Sequence, residues 1–218
     1  MGQTLYLIDA YSLIFQVFHA IPEMSAPDGR PTNAVFGFSR DLLYLLENKK
    51  PDYLICAFDA SGPTFRDAIY PEYKANRAPM PDNLRAQIDM IQRVVEAMNI
   101  PVLETPGFEA DDIIATVVRQ ANERGIDTFI CTGDKDARQL IGPHVAIYNI
   151  RKDQVMDAAG LQAEWGVRPD QVVDLLALTG DTVDNVPGIP GVGPKTASAL
   201  LQEFGTLDAL LANIDRVS

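Results

Sequence analysis

The feature that most constrains the fold is an alternation of short apolar runs with helical patterns over the first 150 residues. Apolar runs of strand length occur at residues 5–8, 54–58, 101–103, 128–131 and 145–150. Apolar side chains recur at spacings of three and four, as in helices with one buried face, in residues 34–47, 84–98 and 112–123. Strands that alternate with helices pair in parallel, so we predict an α/β fold with a mostly parallel sheet and helices on both faces.

The pattern changes after about Val155, beyond which no strand-like run is found. Short helical segments, separated by glycines, follow at residues 158–165, 169–178, 194–204 and 207–212. We therefore predict an α/β core at residues 1–155 and a small helical module at residues 156–218. Residues 61–81 are polar, contain prolines and show no period, and such a long loop inside a compact domain tends to be functional.

The composition is that of an ordinary globular protein, with 47% hydrophobic and 22% charged residues. It excludes collagen, disorder and a disulfide scaffold. No window approaches the roughly 18 apolar residues of a membrane span, and the N-terminus lacks the basic and apolar regions of a secretory signal, so we expect no membrane association. Cys56 and Cys131 form no CxxC motif, which favours reduced thiols in a cytoplasmic protein.

The net charge of −12, from 30 acidic and 18 basic residues, argues at first against nucleic acid as a partner. A phosphate backbone is usually met by a basic surface. The objection fails if the acidic residues are concentrated in one pocket that holds divalent cations. The distribution of the carboxylates therefore matters more than their number.

Carboxylates follow three of the predicted strands at the point where each strand ends. Asp9 follows the first strand, Asp59 the second, and Asp134 and Asp136 follow the fourth across a Thr-Gly turn. In open α/β sheets, ligands bind outside the carboxyl ends of the strands. Further acids stand at the start of the third predicted helix and in a glycine-bounded loop of the helical module: Glu109, Asp111, Asp112, Asp181 and Asp184.

Each of these groups has an ordinary explanation on its own, as a turn former, a helix N-cap or a complement to the helix dipole. Together, nine carboxylates from five segments would repel one another unless cations neutralise them. Oxygen ligands alone suit Mg²⁺ or Mn²⁺. Zinc is disfavoured because His19 and His144 are the only histidines and neither has ligand spacing with a cysteine.

A second signal is the glycine-rich stretch PGIPGVGPKTASALL. Its glycines, which permit close backbone approach and positive φ, are Gly188, Gly191 and Gly193. A helix starting at Pro194 would present free N–H groups together with Lys195 and Thr196 as an anion site. It is not a P-loop, because Pro194 separates Gly193 from Lys195 and no strand precedes it. We predict a helix–hairpin–helix at residues 184–204 that grips a nucleic-acid backbone; the alternative is a tight connection between packed helices.

These two signals coincide with a resemblance that covers nearly the whole chain. The chain resembles the 5′-nuclease domain of bacterial DNA polymerase I, within the wider family of flap endonucleases and 5′–3′ exonucleases. The motifs that carry the resemblance are FHAI, FDASGPTFRDAIYPEYKANRAPMP, GFEADDIIA, TGDKDARQL and LTGDTVDNVPGIPGVGPKTA. The resemblance implies a PIN-like 5′-nuclease fold, two divalent metal ions, a helical arch over the site at about residues 61–85, and a helix–hairpin–helix that holds duplex DNA, often with a monovalent cation such as K⁺.

The resemblance also implies roles for individual residues. The family's metal ligands fall on Asp9, Asp59, Glu109, Asp111, Asp134 and Asp136, which we expect to form an inner cage, and on Asp112, Asp181 and Asp184, which we expect to hold the second ion or the outer shell. The arch Lys and Arg, which would act at the scissile phosphate, fall on Lys74 and Arg77, and Arg66 matches a further basic position. Tyr73 would stack on an unpaired base or belong to the core. The chain departs from the family at Gln16, where Arg is usual.

The sequence thus predicts a metal-dependent, structure-specific 5′ nuclease that hydrolyses DNA phosphodiester bonds in replication and repair. We expect it to act as a monomer, either by itself or as the N-terminal part of a DNA polymerase I. Its partners would be DNA with a 5′ flap or 5′ end and RNA primer strands. One alternative is a binding protein that recognises branched DNA without cutting it. Another is a carboxylate-dependent phosphatase, which is disfavoured because its motif needs a second Asp at the position of Tyr11.

Overall fold

A single six-stranded sheet forms the centre of the computed structural model, which describes residues 2–216. The strands are β1 (Thr4–Asp9), β2 (Tyr53–Ala57), β3 (Val102–Leu103), β4 (Asp127–Cys131), β5 (Val145–Asn149) and β6 (Gln154–Met156). Their order across the sheet is β3-β2-β1-β4-β5-β6. Strands β1 to β5 pair in parallel, and β6 pairs antiparallel with β5.

Helices surround the sheet and build the C-terminal part of the chain. The α-helices of residues 2–216 are α1 (Ala10–Ala20), α2 (Asn33–Tyr44), α3 (Phe65–Ile69), α4 (Asp82–Ala97), α5 (Ala110–Glu123), α6 (Ala158–Trp165), α7 (Val172–Thr179), α8 (Pro194–Phe204) and α9 (Leu207–Ala212). A π-helical turn, Leu45–Lys49, continues α2, and 3₁₀ turns lie at Asp136–Leu140, Pro169–Gln171 and Ile214–Arg216. None of the helices formed by these residues has the length and apolar character that a membrane crossing requires.

The two faces of the sheet bury different helices, because alternate side chains of a strand point to opposite faces. In β1, Tyr6 and Ile8 pack with α1, α2 and α4 in one hydrophobic cluster. Leu5 and Leu7 pack with α5, α6 and the start of α7 in a second cluster. The predicted α/β architecture with helices on both faces is therefore confirmed.

The topology brings the functional strands together. Ile8 of β1 lies opposite Cys56 of β2 on one side and Cys131 of β4 on the other. The chain builds β2 and β3 on one side of β1 and then crosses to build β4 and β5 on the other. The strand order thus reverses beside β1, and ligands of open α/β sheets bind at the carboxyl ends of such strands.

The C-terminal helices have a small core of their own. Val167, Leu175, Leu178, Ala197 and Leu201 are buried together. Because α6 and the start of α7 also belong to the second cluster of the sheet, this helical module packs directly against the α/β part.

Three elements differ from the prediction. Strand β6 was not predicted, because three residues are too few to show a pattern. Helix α1 is also absent from the predicted elements: its buried residues follow helical spacing, but the aromatic side chains Tyr11, Phe15 and Phe18 on its more exposed side obscure that pattern. Residues 61–81, which show no helical period in the sequence, contain α3, which Thr64 and Asp67 start with a reciprocal capping box.

Candidate metal centre and active site

The carboxyl ends of β1, β2 and β4 deliver the first carboxylates. Asp9 is buried, and its Oδ1 accepts a hydrogen bond from the backbone N–H of Ser12 (3.1 Å), which caps α1. Its Oδ2 accepts one from the hydroxyl of Thr132 (2.7 Å). Burial raises the pKa of Asp9 to about 6; the two hydrogen bonds oppose this shift, and the nearby charges of Asp59 and Asp134 add to it.

The start of α5 contributes the next group. Glu109 is the N-cap of α5 and forms a capping box with Asp112. Asp59, from the end of β2, accepts a hydrogen bond from the N–H of Ala110 (2.7 Å), so the strand end and the helix start hold each other in place. Burial, followed by the charges of Asp9 and Asp134, raises the pKa of Asp111 to about 8.

Three further carboxylates form the tightest acidic group. One oxygen from each of Asp136, Asp181 and Asp184 lies within 4.8 Å of the other two. Oδ1 of Asp136 is buried and has no hydrogen-bond partner among the described residues. Burial and the charges of Asp134, Asp181 and Asp184 raise the pKa of Asp136 to about 6. An unsatisfied buried oxygen in an all-oxygen donor set suits a hard divalent cation.

Side-chain cations pair with four of the nine carboxylates. Arg66 binds Asp112 through two hydrogen bonds of 2.7 and 2.8 Å, which is the main reason that the pKa of Asp112 is lowered. Arg66 also pairs with Glu109 (3.7 Å), and the other pairs are Lys74 with Glu109 (2.7 Å), Arg77 with Asp184 (2.7 Å) and Lys135 with Asp181 (3.1 Å). We call Glu109, Asp112, Asp181 and Asp184 the paired carboxylates. Within residues 2–216, Asp9, Asp59, Asp111, Asp134 and Asp136 have no ion pair, and we call these the unpaired carboxylates.

Tyr73 lies between two of the paired carboxylates. Its hydroxyl is 3.0 Å from Oε2 of Glu109 and 3.1 Å from Oδ2 of Asp184, and its single proton can serve only one of them at a time. Burial and these charges raise the pKa of Tyr73. The neighbouring N–H of Lys74 donates to the carbonyl of Asp184 (3.0 Å). The segment after α3 is thus attached to the loop that carries Asp184.

The nine carboxylates do not line one cavity. A cleft of about 640 Å³, which we call the front cleft, is lined by Asp9, Asp59, Asp111, Asp134, Asp181 and Asp184, with Lys74, Lys135 and Arg77. A pocket of about 170 Å³, which we call the rear pocket, is lined by Glu109, Asp111, Asp112, Asp136 and Asp184, with Arg66 and Tyr73. The two cavities share Asp111 and Asp184, and Glu109 and Asp136 line only the rear pocket; the expected inner cage stays a prediction.

Several residues of the front cleft were not selected from the sequence. Lys135 pairs with Asp181, and Tyr11 and Phe15 come from α1. Tyr11 and Phe15 are four residues apart, which places them on one face of α1, a signal that was available in the sequence but was not used. Gln16 donates to the Ser12 hydroxyl (3.2 Å), so its amide lies against the turn after β4 rather than in open solvent.

The glycine hairpin between α7 and α8 uses its glycines in different ways. A Cβ at Gly188 would lie 2.2 Å from the carbonyl carbon of Thr179, so only glycine allows this backbone crossing. Gly191 has a φ of +83°, which favours glycine. Gly193 has a φ of −89° and open space around its Cβ position, so the expectation of positive φ is wrong for Gly193, and its close approach to a nucleic-acid backbone stays a prediction.

Gly193 instead acts as the N-cap of α8. Pro194 occupies the first turn, followed by Lys195 and Thr196, and all four are exposed. The N-terminus of an eleven-residue helix therefore opens to solvent with a lysine beside it, an arrangement that can bind an anion.

The two parts of the chain match two family profiles. Residues 4–166 match a profile described as "5'-3' exonuclease, N-terminal resolvase-like domain", and residues 167–218 match one described as "5'-3' exonuclease, C-terminal SAM fold". A 5'-3' exonuclease from Aquifex aeolicus is 41% identical over 214 residues, covering 98% of this chain and 74% of that protein.

A DNA polymerase I from Rhizobium leguminosarum is 46% identical over 218 residues, covering 96% of this chain but only 22% of that protein. Among solved structures, the bacteriophage T5 flap endonuclease in complex with DNA and metal ions aligns with a TM-score of 0.77 at 21% identity, covering 97% of this chain and 79% of that one. That likeness confirms the fold. The two profiles and the sequence relatives establish that this chain belongs to the 5′–3′ exonuclease family.

Proposed function

We propose that this chain is a metal-dependent, structure-specific 5′ nuclease that hydrolyses DNA phosphodiester bonds as a 5′–3′ exonuclease and flap endonuclease. The observation that carries the proposal is the group of unpaired carboxylates at the carboxyl ends of β1, β2 and β4. Such a cluster destabilises the folded chain unless cations bind it, because the charges repel one another and are partly desolvated. The family relationship and the DNA and metal ions in the T5 flap endonuclease structure support the same reading.

The nine carboxylates are the proposed ligands of two divalent ions, Mg²⁺ or Mn²⁺. The unpaired ones have no ion pair within residues 2–216, and Asp136 in particular has a buried oxygen without a partner among the described residues. When bound, such ions generate a nucleophilic water and stabilise the leaving oxygen. In the proposed reaction, water attacks phosphorus and the bond to the 3′ oxygen breaks, so that one product carries a 5′-phosphate and the other a 3′-hydroxyl.

Lys74 and Arg77 are the proposed catalytic cations. Both line the front cleft, where each could donate hydrogen bonds to phosphate oxygens as negative charge develops on them. Here they are paired with Glu109 and Asp184, each through one hydrogen bond, so both keep further N–H donors for a substrate phosphate. Arg66 and Tyr73, which contact carboxylates of the rear pocket, would act on DNA only indirectly in this arrangement.

The glycine hairpin is the proposed grip on duplex DNA. Gly188 and Gly191 shape the turn, and Gly193, Lys195 and Thr196 present the helix N-terminus to a phosphate. A monovalent cation such as K⁺ is part of the same proposal. DNA with a 5′ flap or 5′ end, and primer strands of RNA, would be the substrates. We further propose that the chain acts as a monomer in the cytoplasm.

The test of this grip is a salt titration of flap-duplex affinity. Lys195→Ala should weaken binding equally on all sequences and reduce the slope of log affinity against log salt by about one, as expected for a single lost phosphate contact. Lys152→Ala, in an exposed turn on the sheet side, is the matched control and should change neither quantity. An unchanged slope for Lys195→Ala would make the hairpin only a connection between helices.

The test of the function is cleavage of an end-labelled 5′-flap duplex with and without Mg²⁺. We expect cleavage that stops in excess chelator and, for Asp134→Asn, a loss of cleavage with metal-free DNA affinity retained or improved. A binding protein without nuclease activity is the second candidate. It would bind the flap duplex but leave it intact at every Mg²⁺ or Mn²⁺ concentration.

A further inference from the structure

One buried hydroxyl connects the carboxylate-bearing ends of β1 and β4. Thr132 follows the last residue of β4 and is buried. Its hydroxyl donates to Oδ2 of Asp9 (2.7 Å) and accepts from the backbone N–H of Asp134 (2.9 Å). A hydroxyl can donate one hydrogen bond and also accept, and here it donates to the Asp9 carboxylate while its oxygen accepts from the N–H of Asp134.

A second hydroxyl supports the same turn from the other side. The Oγ of Ser12 accepts from the N–H of Gly133 (2.8 Å), while the N–H of Ser12 donates to Oδ1 of Asp9 (3.1 Å). Both oxygens of Asp9 and the two amides of the turn after β4 are therefore held by Ser12 and Thr132.

We infer that Thr132 is a positioning residue that sets the relative placement of the Asp9 and Asp134 carboxylates for a shared divalent cation, an inference that rests on the proposed function. Asp9 ends β1 and Asp134 lies in the turn after the adjacent strand β4, and both line the front cleft. Within residues 2–216, Ser12 is the other side chain whose hydrogen bond joins these two strand ends. Removing the Thr132 hydroxyl leaves one oxygen of Asp9 without its donor and the N–H of Asp134 without its acceptor.

The inference predicts that Mn²⁺ affinity depends on the hydroxyl of Thr132 and not on the volume of its side chain. Thr132→Val keeps the shape and removes the hydroxyl, whereas Thr132→Ser keeps the hydroxyl. Partners that orient metal ligands typically contribute about 10–100-fold in metal affinity. Thr132→Val should therefore weaken Mn²⁺ binding by about 10–100-fold, and Thr132→Ser should bind nearly as wild type does.

Thr128 offers a matched control on the same strand. It is buried on the same face of β4, and its hydroxyl contacts only the carbonyl of Ile126, at 3.4 Å. Thr128→Val measures the general cost of losing a buried threonine hydroxyl. It should lower the melting temperature without changing Mn²⁺ affinity.

The experiment is calorimetric titration of Mn²⁺ into wild type, Thr132→Val, Thr132→Ser and Thr128→Val, with melts in chelator and flap cleavage alongside. Equal Mn²⁺ affinity of wild type and Thr132→Val would overturn the inference, even where the melting temperature falls. If Thr132→Val does not fold, Thr132→Ala replaces it, with the same loss of affinity expected and an unchanged affinity overturning the inference. A wild-type chain that binds Mn²⁺ and cleaves the flap upholds the proposed function in either case, whereas one that binds no Mn²⁺ overturns both.

Discussion

The paired and unpaired carboxylates differ although they are the same residue types at the same end of the sheet. Asp111 and Asp112 are adjacent in the first turn of α5, yet burial and neighbouring charges raise the pKa of Asp111 to about 8, while Arg66 lowers that of Asp112. The α-helix turns successive side chains by about 100°, so one faces the strand ends and the other faces α3. Their pKa values therefore shift in opposite directions because the two side chains lie against different groups.

The difference teaches where a bound cation is needed. The segment after α3 supplies Lys74 and Arg77, and α3 itself supplies Arg66, so the carboxylates on that side are neutralised by the chain. The carboxylates at the strand ends have no such partner among the described residues. Bound protons or divalent ions can neutralise them, and the folded chain loses stability where they stay charged and without a bound cation.

The largest expected effect is on cleavage. Asp111→Asn should lower flap cleavage in Mg²⁺ by more than about 100-fold, because loss of a partner that merely orients a metal ligand already costs about 10–100-fold. Asp112→Asn, the neighbouring control, should lower it much less. Single-turnover rates at saturating Mg²⁺ measure both. Equal losses would remove the distinction between the two groups.

The pH dependence of stability comes next. Asp9, Asp111 and Asp136 have raised pKa values in the folded chain, about 6, 8 and 6, against about 4 when unfolded. Between pH 4 and pH 8 these sites bind more protons in the folded than in the unfolded state, so their contribution to stability decreases as the pH rises. Urea unfolding in chelator at pH 5, 6.5 and 8 should show this decrease, and saturating Mg²⁺ should reduce it. Stability that increases over this range would contradict the assignment.

In metal-free protein, substitution of Asp111 and substitution of Asp112 should change stability in opposite directions. Asp111→Asn removes a repelled charge and should raise the melting temperature. Asp112→Asn breaks the two-bond pair with Arg66 and should cost about 1–2 kcal/mol of unfolding free energy, since charge-assisted bonds to partly buried groups exceed exposed pairs. Melts in chelator test both. A fall in melting temperature for Asp111→Asn would show that it is held by a partner rather than repelled.

The smallest expected effect, on the free energy of unfolding, is that of an exposed ion pair away from the site, and it serves as a reference for the other variants. Glu123→Gln, on the same helix, breaks an exposed pair with Arg119 (3.1 Å). Such pairs contribute about 0.3–0.5 kcal/mol, so its unfolding free energy should stay close to wild type at every pH and Mg²⁺ concentration. A loss as large as that of Asp112→Asn would mean that surface charge on α5, and not the site, determines these differences.

The sheet and the acidic positions were predictable because their signals are local. A strand's apolar run ends where Asp9 begins a turn, and Glu109 stands where α5 begins. Strand β6 was too short to leave such a signal. The role of Gly193 was misassigned because a glycine at an N-cap and one at positive φ look the same in a sequence.

What the sequence by itself determined is the α/β core, the helical module and the positions of the nine carboxylates at strand ends, at the start of a helix and in the loop before the glycine hairpin. Only the tertiary structure decided which carboxylates receive Arg66, Lys74 and Arg77, and that Thr132 joins Asp9 to Asp134. The physical reason is the separation along the chain of the residues that interact. Periodicity and caps depend on neighbours within a turn or two, whereas Lys74 meets Glu109 and Asp9 meets Thr132 across 35 and 123 residues, through the packing of the whole chain.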